Sequence, residues 1–218
     1  MKIVAAKKLL RANDLLAEEN RKRFNAAKTV VLNLVGSPGC GKTTLLENLF
    51  PRLQDLRPAV IEGDIAGAVD AERLSKLSVP VVQINTEGAC HLDANMIAAA
   101  VDELDLESID LLVIENVGNL VCTAGFDLGE HFRLAVLSVA EGDDKLVKYP
   151  AIFQGSDGLV VTKCDLLSLS DFQLDRVVDD MKRLAPEAAF FAVSAKSGEN
   201  MDALTTFVRN TVERVRAG

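Results

Sequence analysis

Short apolar runs alternate with amphipathic segments along most of the chain, and this alternation predicts its fold. Seven runs rich in Val, Leu and Ile are bounded by Gly, Pro, Asp or Ser and are apolar on both faces. Buried strands of a parallel sheet have this pattern. The predicted strands are Thr29–Val35, Ala59–Glu62, Val79–Ile84, Asp110–Glu115, Leu134–Ala140, Gly158–Thr162 and Ala189–Val193. We therefore predict an α/β fold with a mostly parallel, doubly wound sheet and helices on both faces.

Segments with apolar residues at helical spacing fill the gaps between these strands. The clearest predicted helices are Lys42–Leu53, Ala94–Leu104, Asp171–Leu184 and Met201–Arg214. Residues 4–27 predict a further amphipathic helix, in which mixed basic and acidic side chains are typical of a solvated face. We predict two parts, an N-terminal helical extension over residues 1–28 and a single domain over residues 29–218.

The composition supports one globular domain and argues against some classes of binding partner. Hydrophobic residues make up 49% and charged residues 26% of the 218 residues, so a sizeable core can be buried. The net charge of −8 argues against a nucleic-acid-binding face, which needs clustered Lys and Arg. Because no secretory leader or membrane span is visible, we predict a cytoplasmic protein with no nucleic-acid or membrane partner. The cysteines are then expected to be thiols or metal ligands, and they are Cys40, Cys90, Cys122 and Cys164.

The first predicted strand leads into a phosphate-binding sequence. Residues 36–43 match the pattern G-x-x-x-x-G-K-[ST], in which backbone N–H groups surround phosphate oxygens. We expect Lys42 to reach the β- and γ-phosphates and the Thr43 hydroxyl to bind Mg²⁺. Since a strand precedes the motif and a helix follows it, residues 29–218 are predicted to be a P-loop NTPase domain. The predicted contacts are Gly36, Gly39, Cys40, Gly41, Lys42, Thr43 and Thr44.

Two later motifs predict that the base is guanine. Asp165 can accept hydrogen bonds from the guanine N1–H and 2-amino groups, which adenine does not offer together. Lys163 would lie over the base, and Thr162 stands where GTPases usually have Asn. Residues 194–196 follow the next predicted strand, where GTPases contact the guanine oxygen through a backbone N–H. The predicted base site therefore comprises Thr162, Lys163, Asp165, Ser194, Ala195 and Lys196.

A switch sequence lies between these two regions. Residues 115–118, Glu-Asn-Val-Gly, resemble the D-x-x-G switch of GTPases with Glu in place of Asp. Gly118 would offer its N–H to the γ-phosphate, and Glu115 would hold Mg²⁺ through a water. Asp64 is the best candidate for a Mg²⁺-associated carboxylate that orients the attacking water, with a turn or capping role as the alternative. We predict Lys42, Asp64 and Gly118 as catalytic residues, and slow hydrolysis because the switches contain no obvious Gln or Arg finger.

Thiol and imidazole groups suggest a second metal site. Cys90 and His91 lie in a loop after the third predicted strand, and Cys122 lies four residues past Gly118. These ligands suit Zn²⁺ or Ni²⁺, whereas the alternative is a pair of buried cysteines and an ordinary loop histidine. Three ligands do not close a tetrahedral site, but a two-fold dimer would add ligands from a second subunit. Because Cys122 follows the switch so closely, we expect GTP to affect metal binding.

Several segments resemble the HypB family of hydrogenase nickel-incorporation GTPases. They are residues 36–44, 62–65, 88–93 (Gly-Ala-Cys-His-Leu-Asp), 115–122 (Glu-Asn-Val-Gly-Asn-Leu-Val-Cys), 126–130 and 141–145. The resemblance implies a nickel metallochaperone that forms a GTP-promoted homodimer, with the metal at the interface on Cys90, His91 and Cys122. It also implies two partners, a small zinc-containing nickel accessory protein and the [NiFe]-hydrogenase large subunit. The chain departs from the family at Thr123, where Pro is expected, and it lacks the N-terminal cysteine motif or histidine-rich tract of some members.

Some roles and functions remain open at this stage. Lys145 and Lys148 are either surface lysines or charge stabilisers that reach the nucleotide of a partner subunit. Asp70 fits either the dimer interface or a helix start, and His131 fits either a loop or a secondary metal site. The competing functions are a urease-type nickel-insertion GTPase, a P-loop kinase acting on a small molecule, and a GTP-sensing scaffold without a metal.

Overall fold

A computed structural model describes residues 5–64 and 69–218 and confirms the predicted α/β architecture. The strands are β1 (Val30–Gly36), β2 (Pro58–Asp64), β3 (Val81–Asn85), β4 (Leu111–Glu115), β5 (Phe132–Ser138), β6 (Gly158–Thr162) and β7 (Ala189–Ala192). They form one sheet in the order β3-β2-β4-β1-β5-β6-β7, and all neighbouring pairs are parallel. The strand ends differ from the predicted ones by two residues at most, which is the usual uncertainty of boundaries.

The helices agree less closely with the prediction. They are α1 (Ala5–Ala27), α2 (Lys42–Leu49), α3 (Val69–Ser75), α4 (Ala94–Val101), α5 (Lys145–Lys148), α6 (Pro150–Gln154), α7 (Leu174–Leu184) and α8 (Met201–Ala217). The sequence patterns did not predict α3, α5 or α6. Among the described helices, none is long and apolar enough to cross a membrane.

Two predicted helix ends were wrong for identifiable reasons. The helix predicted over Lys42–Leu53 stops at Leu49 and continues only as a short 3₁₀ turn, because Pro51 has no N–H to donate. The helix predicted from Asp171 starts at Leu174, where the carboxylate of Asp143 accepts a 3.0 Å hydrogen bond from the N–H of Gln173. Both ends depend on single residues rather than on the periodicity of the segment.

The central strand β1 shows how the sheet is covered on both faces. Leu32 and Leu34 pack among buried residues of α2 and α8. Val31 faces the opposite side, in a cluster with α1 and α4, and Val35 packs with α6 and α7. Alternate strand residues point to opposite faces, so one strand contributes to cores on both sides. The carboxyl ends of β1, β2 and β4 meet at one edge, where ligands of such sheets bind.

The N-terminal helix α1 packs against the remainder of the chain. Phe24 of α1 is fully buried in the cluster with α4. The Asn13 side chain accepts a 2.9 Å hydrogen bond from the N–H of Ala94, and the Asn20 amide donates a 2.8 Å bond to the carbonyl of Ala94. These contacts fix α1 at the start of α4. The division at residue 28 stays a prediction.

Candidate functional site

The phosphate-binding loop lies between β1 and α2. Gly39 and Gly41 have φ angles of 71° and 97°, a left-handed conformation that other residues adopt only with strain. Cys40 is buried inside the loop, and burial raises the pKa of its thiol to about 11, so this group serves as packing. Lys42 Nζ lies 3.4 Å from the carbonyl oxygen of Ser37. The loop thus has the curled backbone and the lysine that phosphate binding requires.

Predicted nucleotide residues from four chain segments line one cavity of about 340 Å³ beside this loop. The cavity brings together Lys42, Thr43, Asp64, Glu115 and Gly118. Gly118 lies so close to the loop that an added Cβ would be 2.8 Å from the backbone N and Cα of Pro38. The absence of a side chain at Gly118 therefore lets the switch approach the phosphate loop closely.

A group of carboxylates lines the cavity around Thr43. The Thr43 hydroxyl donates a 2.7 Å hydrogen bond to Glu115 Oε1. Glu115 Oε2 and Glu62 Oε2 are buried and have no hydrogen-bond partner among the described residues. Burial raises the pKa of Glu115 to about 7, and burial together with the charges of Glu115 and Asp64 raises the pKa of Glu62 to about 8. Unpartnered oxygens beside a threonine hydroxyl fit a hard divalent cation such as Mg²⁺. Sequence reasoning missed Glu62 because its burial depends on β3 and β4.

The predicted base residues line a second cavity of about 270 Å³, which shares Gly41, Thr44 and Lys163 with the first. The Ser194 hydroxyl donates a 2.7 Å hydrogen bond to Asp165 Oδ1. Lys163 Nζ donates a 2.7 Å bond to the carbonyl of Gly39, so its stem spans the phosphate loop. The two cavities together provide a continuous space for phosphates, sugar and base.

Thr162 explains one departure from the usual GTPase sequence. Its hydroxyl donates a 2.6 Å hydrogen bond to the carbonyl of Cys40, and its side chain is buried. The residue therefore ties the end of β6 to the phosphate loop. Ala195 and Lys196 lie at the rim of the base cavity, at the position predicted for the backbone contact to guanine.

An arginine that sequence reasoning did not single out also lines the phosphate cavity. Arg73 of α3 donates hydrogen bonds to the Thr44 hydroxyl at 2.8 Å and to Glu47 Oε2 at 2.6 Å. Asp70 pairs with Arg73 at 3.0 Å, and this contact lies within α3. The contacts couple α3 to the first turns of α2. The sequence carried no signal for them beyond the i,i+3 spacing of Asp70 and Arg73.

The predicted metal residues Cys90, His91 and Cys122 come together beside the switch. The Cys122 thiol lies near Cys90, and the interaction with Cys90 raises the pKa of the Cys122 thiol. His91 Nδ1 lies 3.8 Å from Cys90 Sγ, and the His91 ring stacks on Phe126 with 3.9 Å between ring centroids. Over residues 5–64 and 69–218, no three or more His, Cys, Asp or Glu side chains form a group that could hold a metal ion. One chain therefore supplies two adjoining thiols and a neighbouring imidazole, but no complete site.

The loop that carries Cys122 is ordered by Asn119. The Asn119 side-chain oxygen accepts hydrogen bonds from the N–H groups of Val121 at 2.7 Å and Cys122 at 2.8 Å. Thr123 stands where the family resemblance predicts Pro, and its hydroxyl donates a 2.6 Å bond to the carbonyl of Asn119. The threonine closes the same turn by a hydrogen bond.

The residues left open by the sequence have other contacts. Lys145 and Lys148 both pair with Asp144, at 2.7 Å and 2.5 Å. His131 Nδ1 accepts a 2.9 Å hydrogen bond from the N–H of Val31, and its Nε2 lies 3.0 Å from Asn25 Oδ1. Because both ring nitrogens are engaged, His131 anchors α1 to β1 and is not arranged as a metal ligand.

Comparisons with known proteins agree with this geometry. The family model for the CobW/HypB/UreG nucleotide-binding domain matches residues 30–192. The hydrogenase maturation factor HypB of Escherichia coli K12 is 49% identical over 195 residues, which cover 89% of this chain and 67% of that protein. The hydrogenase/urease maturation factor HypB of Helicobacter pylori J99 is 42% identical over 210 residues, which cover 94% of this chain and 86% of that protein.

A solved structure extends the likeness to three dimensions. The crystal structure of HypB from Helicobacter pylori in complex with nickel matches this chain with a TM-score of 0.90 at 41% identity. The match covers 93% of this chain and 96% of that one. The likeness thus extends over most of the fold, and the related protein was crystallised in complex with nickel.

Proposed function

The chain belongs to the HypB family of hydrogenase maturation factors, within the CobW/HypB/UreG nucleotide-binding domains, and we propose that it hydrolyses GTP to insert nickel into a [NiFe]-hydrogenase. The nickel ion is cargo in this proposal, and GTP binding and hydrolysis time its release. Guanine selection by Asp165 and Ser194 supports a GTPase, because a P-loop kinase has no need of this base. The proposal places the protein in the cytoplasm, where free thiols persist.

The proposed hydrolysis uses residues that line the phosphate cavity. Lys42 binds the β- and γ-phosphates, the Gly118 N–H binds the γ-phosphate, and Asp64 orients the attacking water. Thr43 and Asp64, with Glu115 through a water, would hold Mg²⁺, which supplies positive charge against the phosphate oxygens when bound. The one arginine that lines the cavity, Arg73, pairs with Glu47 and Asp70, so no free arginine among the lining residues faces the phosphates. We therefore expect slow intrinsic hydrolysis.

The proposed nickel site uses Cys90, His91 and Cys122 of two subunits. One subunit contributes two neighbouring thiols, and the imidazole of His91 lies beside Cys90. A two-fold GTP-promoted homodimer would bring two such sets together and complete the coordination. Zn²⁺ fits the same soft ligands, so zinc is a second ion for this site.

One observation supports this function above all others. The proposed γ-phosphate sensor Gly118 and the proposed metal ligand Cys122 belong to one short loop, and the Cys122 thiol lies near Cys90. A nucleotide-dependent movement of this loop therefore shifts a metal ligand directly. A GTP-sensing scaffold without a metal would have no use for this pairing of thiols.

The test is solution mass with bound-nickel stoichiometry, measured with GDP and with a non-hydrolysable GTP analogue. We expect a dimer with the GTP analogue and about one nickel per dimer, a ratio that follows from ligands shared across a two-fold axis. Cys122→Ala should lose the nickel and still bind nucleotide. Cys164→Ala is the matched control, because that thiol bonds the carbonyl of Val161 in β6 and is not one of the proposed metal ligands. A nucleotide-indifferent monomer with unchanged metal binding would contradict the metal-delivery role.

The proposed partners are the hydrogenase large subunit, which receives nickel, and a zinc-containing accessory protein. The Helicobacter pylori relative is named for both hydrogenase and urease, which makes urease a second candidate target. Nickel transfer from the loaded protein into each metal-free enzyme, with the accessory protein present, distinguishes the two. Activation of urease alone would replace hydrogenase as the target.

A further inference from the structure

A buried asparagine joins the nucleotide switch to the metal loop. Asn116 directly follows Glu115, and its side chain is almost wholly buried. Its side-chain oxygen accepts a 2.9 Å hydrogen bond from the N–H of Val117, in the switch, and a 3.3 Å bond from the N–H of Leu92. Leu92 is the residue after His91. One side-chain oxygen therefore holds the backbone of both the γ-phosphate sensor and the metal loop.

The amide nitrogen of Asn116 starts a second connection. It donates a 3.2 Å hydrogen bond to Asn33 Oδ1 on β1, and Asn33 Nδ2 donates a 3.0 Å bond to Glu130 Oε1. Glu130 pairs with Arg133 at 2.5 Å, and both side chains are largely buried. These hydrogen bonds connect Asn116 in the switch, through Asn33 of β1, to Glu130 in the loop before β5. Its four members, Asn116, Asn33, Glu130 and Arg133, are called the asparagine relay below.

Arg133 brings this second connection back to the metal site. Its Nη2 donates a 2.9 Å hydrogen bond to the carbonyl of Phe126, and its Nη1 donates a 3.3 Å bond to the carbonyl of Ala124. Phe126 stacks on the His91 ring, and Ala124 lies in the turn that begins at Cys122. The asparagine relay therefore reaches the residues around His91 and Cys122 through Phe126 and Ala124. Leu92 reaches His91 separately, as its neighbour in the chain.

We propose that Asn116 is a positioning residue that couples γ-phosphate sensing to the placement of His91 and Cys122, with the asparagine relay as its second arm. This inference rests on the proposed function. When Val117 and Gly118 move toward a γ-phosphate, Asn116 moves with them, because its oxygen is bonded to Val117. The Leu92 N–H and the side-chain oxygen Oδ1 of Asn33 are buried, and leaving either without a hydrogen bond is costly. Leu92 and Asn33 are therefore expected to move with Asn116. Both arms then change the geometry around His91.

The test measures how strongly the nucleotide changes nickel affinity. The quantity is the ratio of nickel dissociation constants with GDP and with a non-hydrolysable GTP analogue, for wild type, Asn116→Ala and Arg133→Lys. We expect both variants to bring the ratio to within about twofold of one, while nucleotide affinity changes by less than about threefold. The nickel–thiolate absorption of Asn116→Ala should become the same in both nucleotides, a change that lower stability alone does not produce.

Asn20→Ala is the matched control, because Asn20 is equally buried and bonds two carbonyls on α4 and the loop before β5, outside the asparagine relay. It should keep the wild-type ratio. Arg133→Lys decides the question if Asn116→Ala does not fold. A wild-type ratio in Arg133→Lys and in any folded Asn116→Ala protein overturns the inference and leaves the GTPase function intact. A wild-type protein with no nucleotide dependence of nickel affinity contradicts the proposed function itself.

Discussion

Ser194 donates its hydroxyl to the carboxylate of Asp165 across 2.7 Å, although the two residues belong to different loops at the carboxyl ends of β6 and β7. Ser194 is fully buried, and its oxygen also accepts a 3.2 Å hydrogen bond from the N–H of Ser197. The hydroxyl proton is thus directed at Asp165, which holds the carboxylate in one orientation. We therefore predict that Ser194 affects guanine binding through Asp165.

Replacing Ser194 by alanine should weaken GTP and GDP binding by about tenfold or more. A hydrogen bond to a charged group contributes roughly 1.5–3 kcal/mol, and this one orients the base-binding carboxylate. Titration with a fluorescent guanine nucleotide measures the change. Ser170→Ala is the control, since the Ser170 hydroxyl bonds only the carbonyl of Leu167 at an exposed site. Equal affinities for Ser194→Ala and wild type would contradict the positioning role.

Replacing Asp165 by asparagine should exchange the base preference from guanine to xanthine. The carboxylate would accept hydrogen bonds from guanine N1–H and the 2-amino group, whereas an amide can donate a hydrogen bond to the 2-carbonyl oxygen of xanthine. Leaving donor facing donor costs roughly 1–3 kcal/mol, so GTP affinity should fall at least tenfold and XTP affinity should rise. Competition of GTP and XTP for the variant measures both. Retained GTP preference would show that Asp165 does not read the base.

Replacing Gly118 by alanine should slow GTP hydrolysis and leave GDP binding nearly unchanged. In Gly118→Ala the new Cβ would lie 2.8 Å from Pro38 N and Cα, so the switch or the phosphate loop must shift. We expect phosphate release to fall by tenfold or more while GDP affinity changes little, because GDP has no γ-phosphate for the sensor to bind. Single-turnover phosphate release and GDP titration test this, with Gly125→Ala as control, since a Cβ there meets nothing within 4 Å. Unchanged hydrolysis would remove Gly118 from the sensor role.

The parts of this protein that were predictable from its sequence depend on neighbours in the chain. The phosphate loop is a local motif, and its glycines and lysine follow directly from residues 36–43. The seven strands are short apolar runs between turn residues, and all seven are present within two residues of their predicted bounds. Both features are encoded within a few consecutive residues, which is what pattern reasoning detects.

The missed features depend on residues far apart in sequence. Arg73 became part of the phosphate cavity only because α3 packs beside Glu47 of α2. Asn116 stands at an x position of the D-x-x-G pattern, and its bonds to Leu92 and Asn33 join three segments that the fold brings together. Tertiary contacts of this kind leave no periodicity in the sequence.

His131 should make stability fall as the pH drops below neutrality. Burial, with a smaller effect of the Arg21 charge, lowers the pKa of His131 in the folded protein, whereas Glu130 raises it. The unfolded chain, with an ordinary histidine pKa of about 6.5, then binds the proton more readily, so stability is lost below about pH 6.5. Urea unfolding of wild type and His131→Asn from pH 7.5 to 5.5 measures the difference.

The comparison with His131→Asn isolates the contribution of this histidine to the pH dependence of stability. The raised pKa values of Glu62 and Glu115 act in the opposite direction, since their folded forms bind protons more readily, and they are the same in both proteins. The stability advantage of wild type over His131→Asn should therefore shrink as the pH falls. An advantage that stays constant across this range would show that His131 does not titrate between the two states.

Outside the nucleotide site, neutralising Asp110 should lower the free energy of unfolding more than neutralising any other acidic residue. Its carboxylate accepts hydrogen bonds from Arg57 Nη2 at 2.8 Å and from Arg216 Nη1 at 2.5 Å, which joins the start of β4 to the last turn of α8. The hydrogen bonds from Arg57 hold the pKa of Asp110 well below its usual range, and the Arg216 charge adds to this. This stabilisation is present above the ordinary aspartate pKa of about 3.9 and is lost as the pH falls further.

Asp110→Asn should therefore lower the free energy of unfolding at pH 7 by roughly 1–3 kcal/mol, because it leaves two guanidinium groups without their shared carboxylate. Denaturant unfolding measures the loss. Asp55→Asn is the matched control: Asp55 pairs with Arg209 at 2.8 Å on the surface, where water screens the pair, so its loss should be clearly smaller. The loss caused by Asp110→Asn should shrink as the pH falls below the ordinary aspartate pKa of about 3.9, where the stabilisation by the ionised carboxylate is progressively lost. Equal losses at pH 7 would mean that the contact between Asp110 and Arg216, which joins β4 to α8, contributes no more than the exposed ion pair of Asp55 with Arg209.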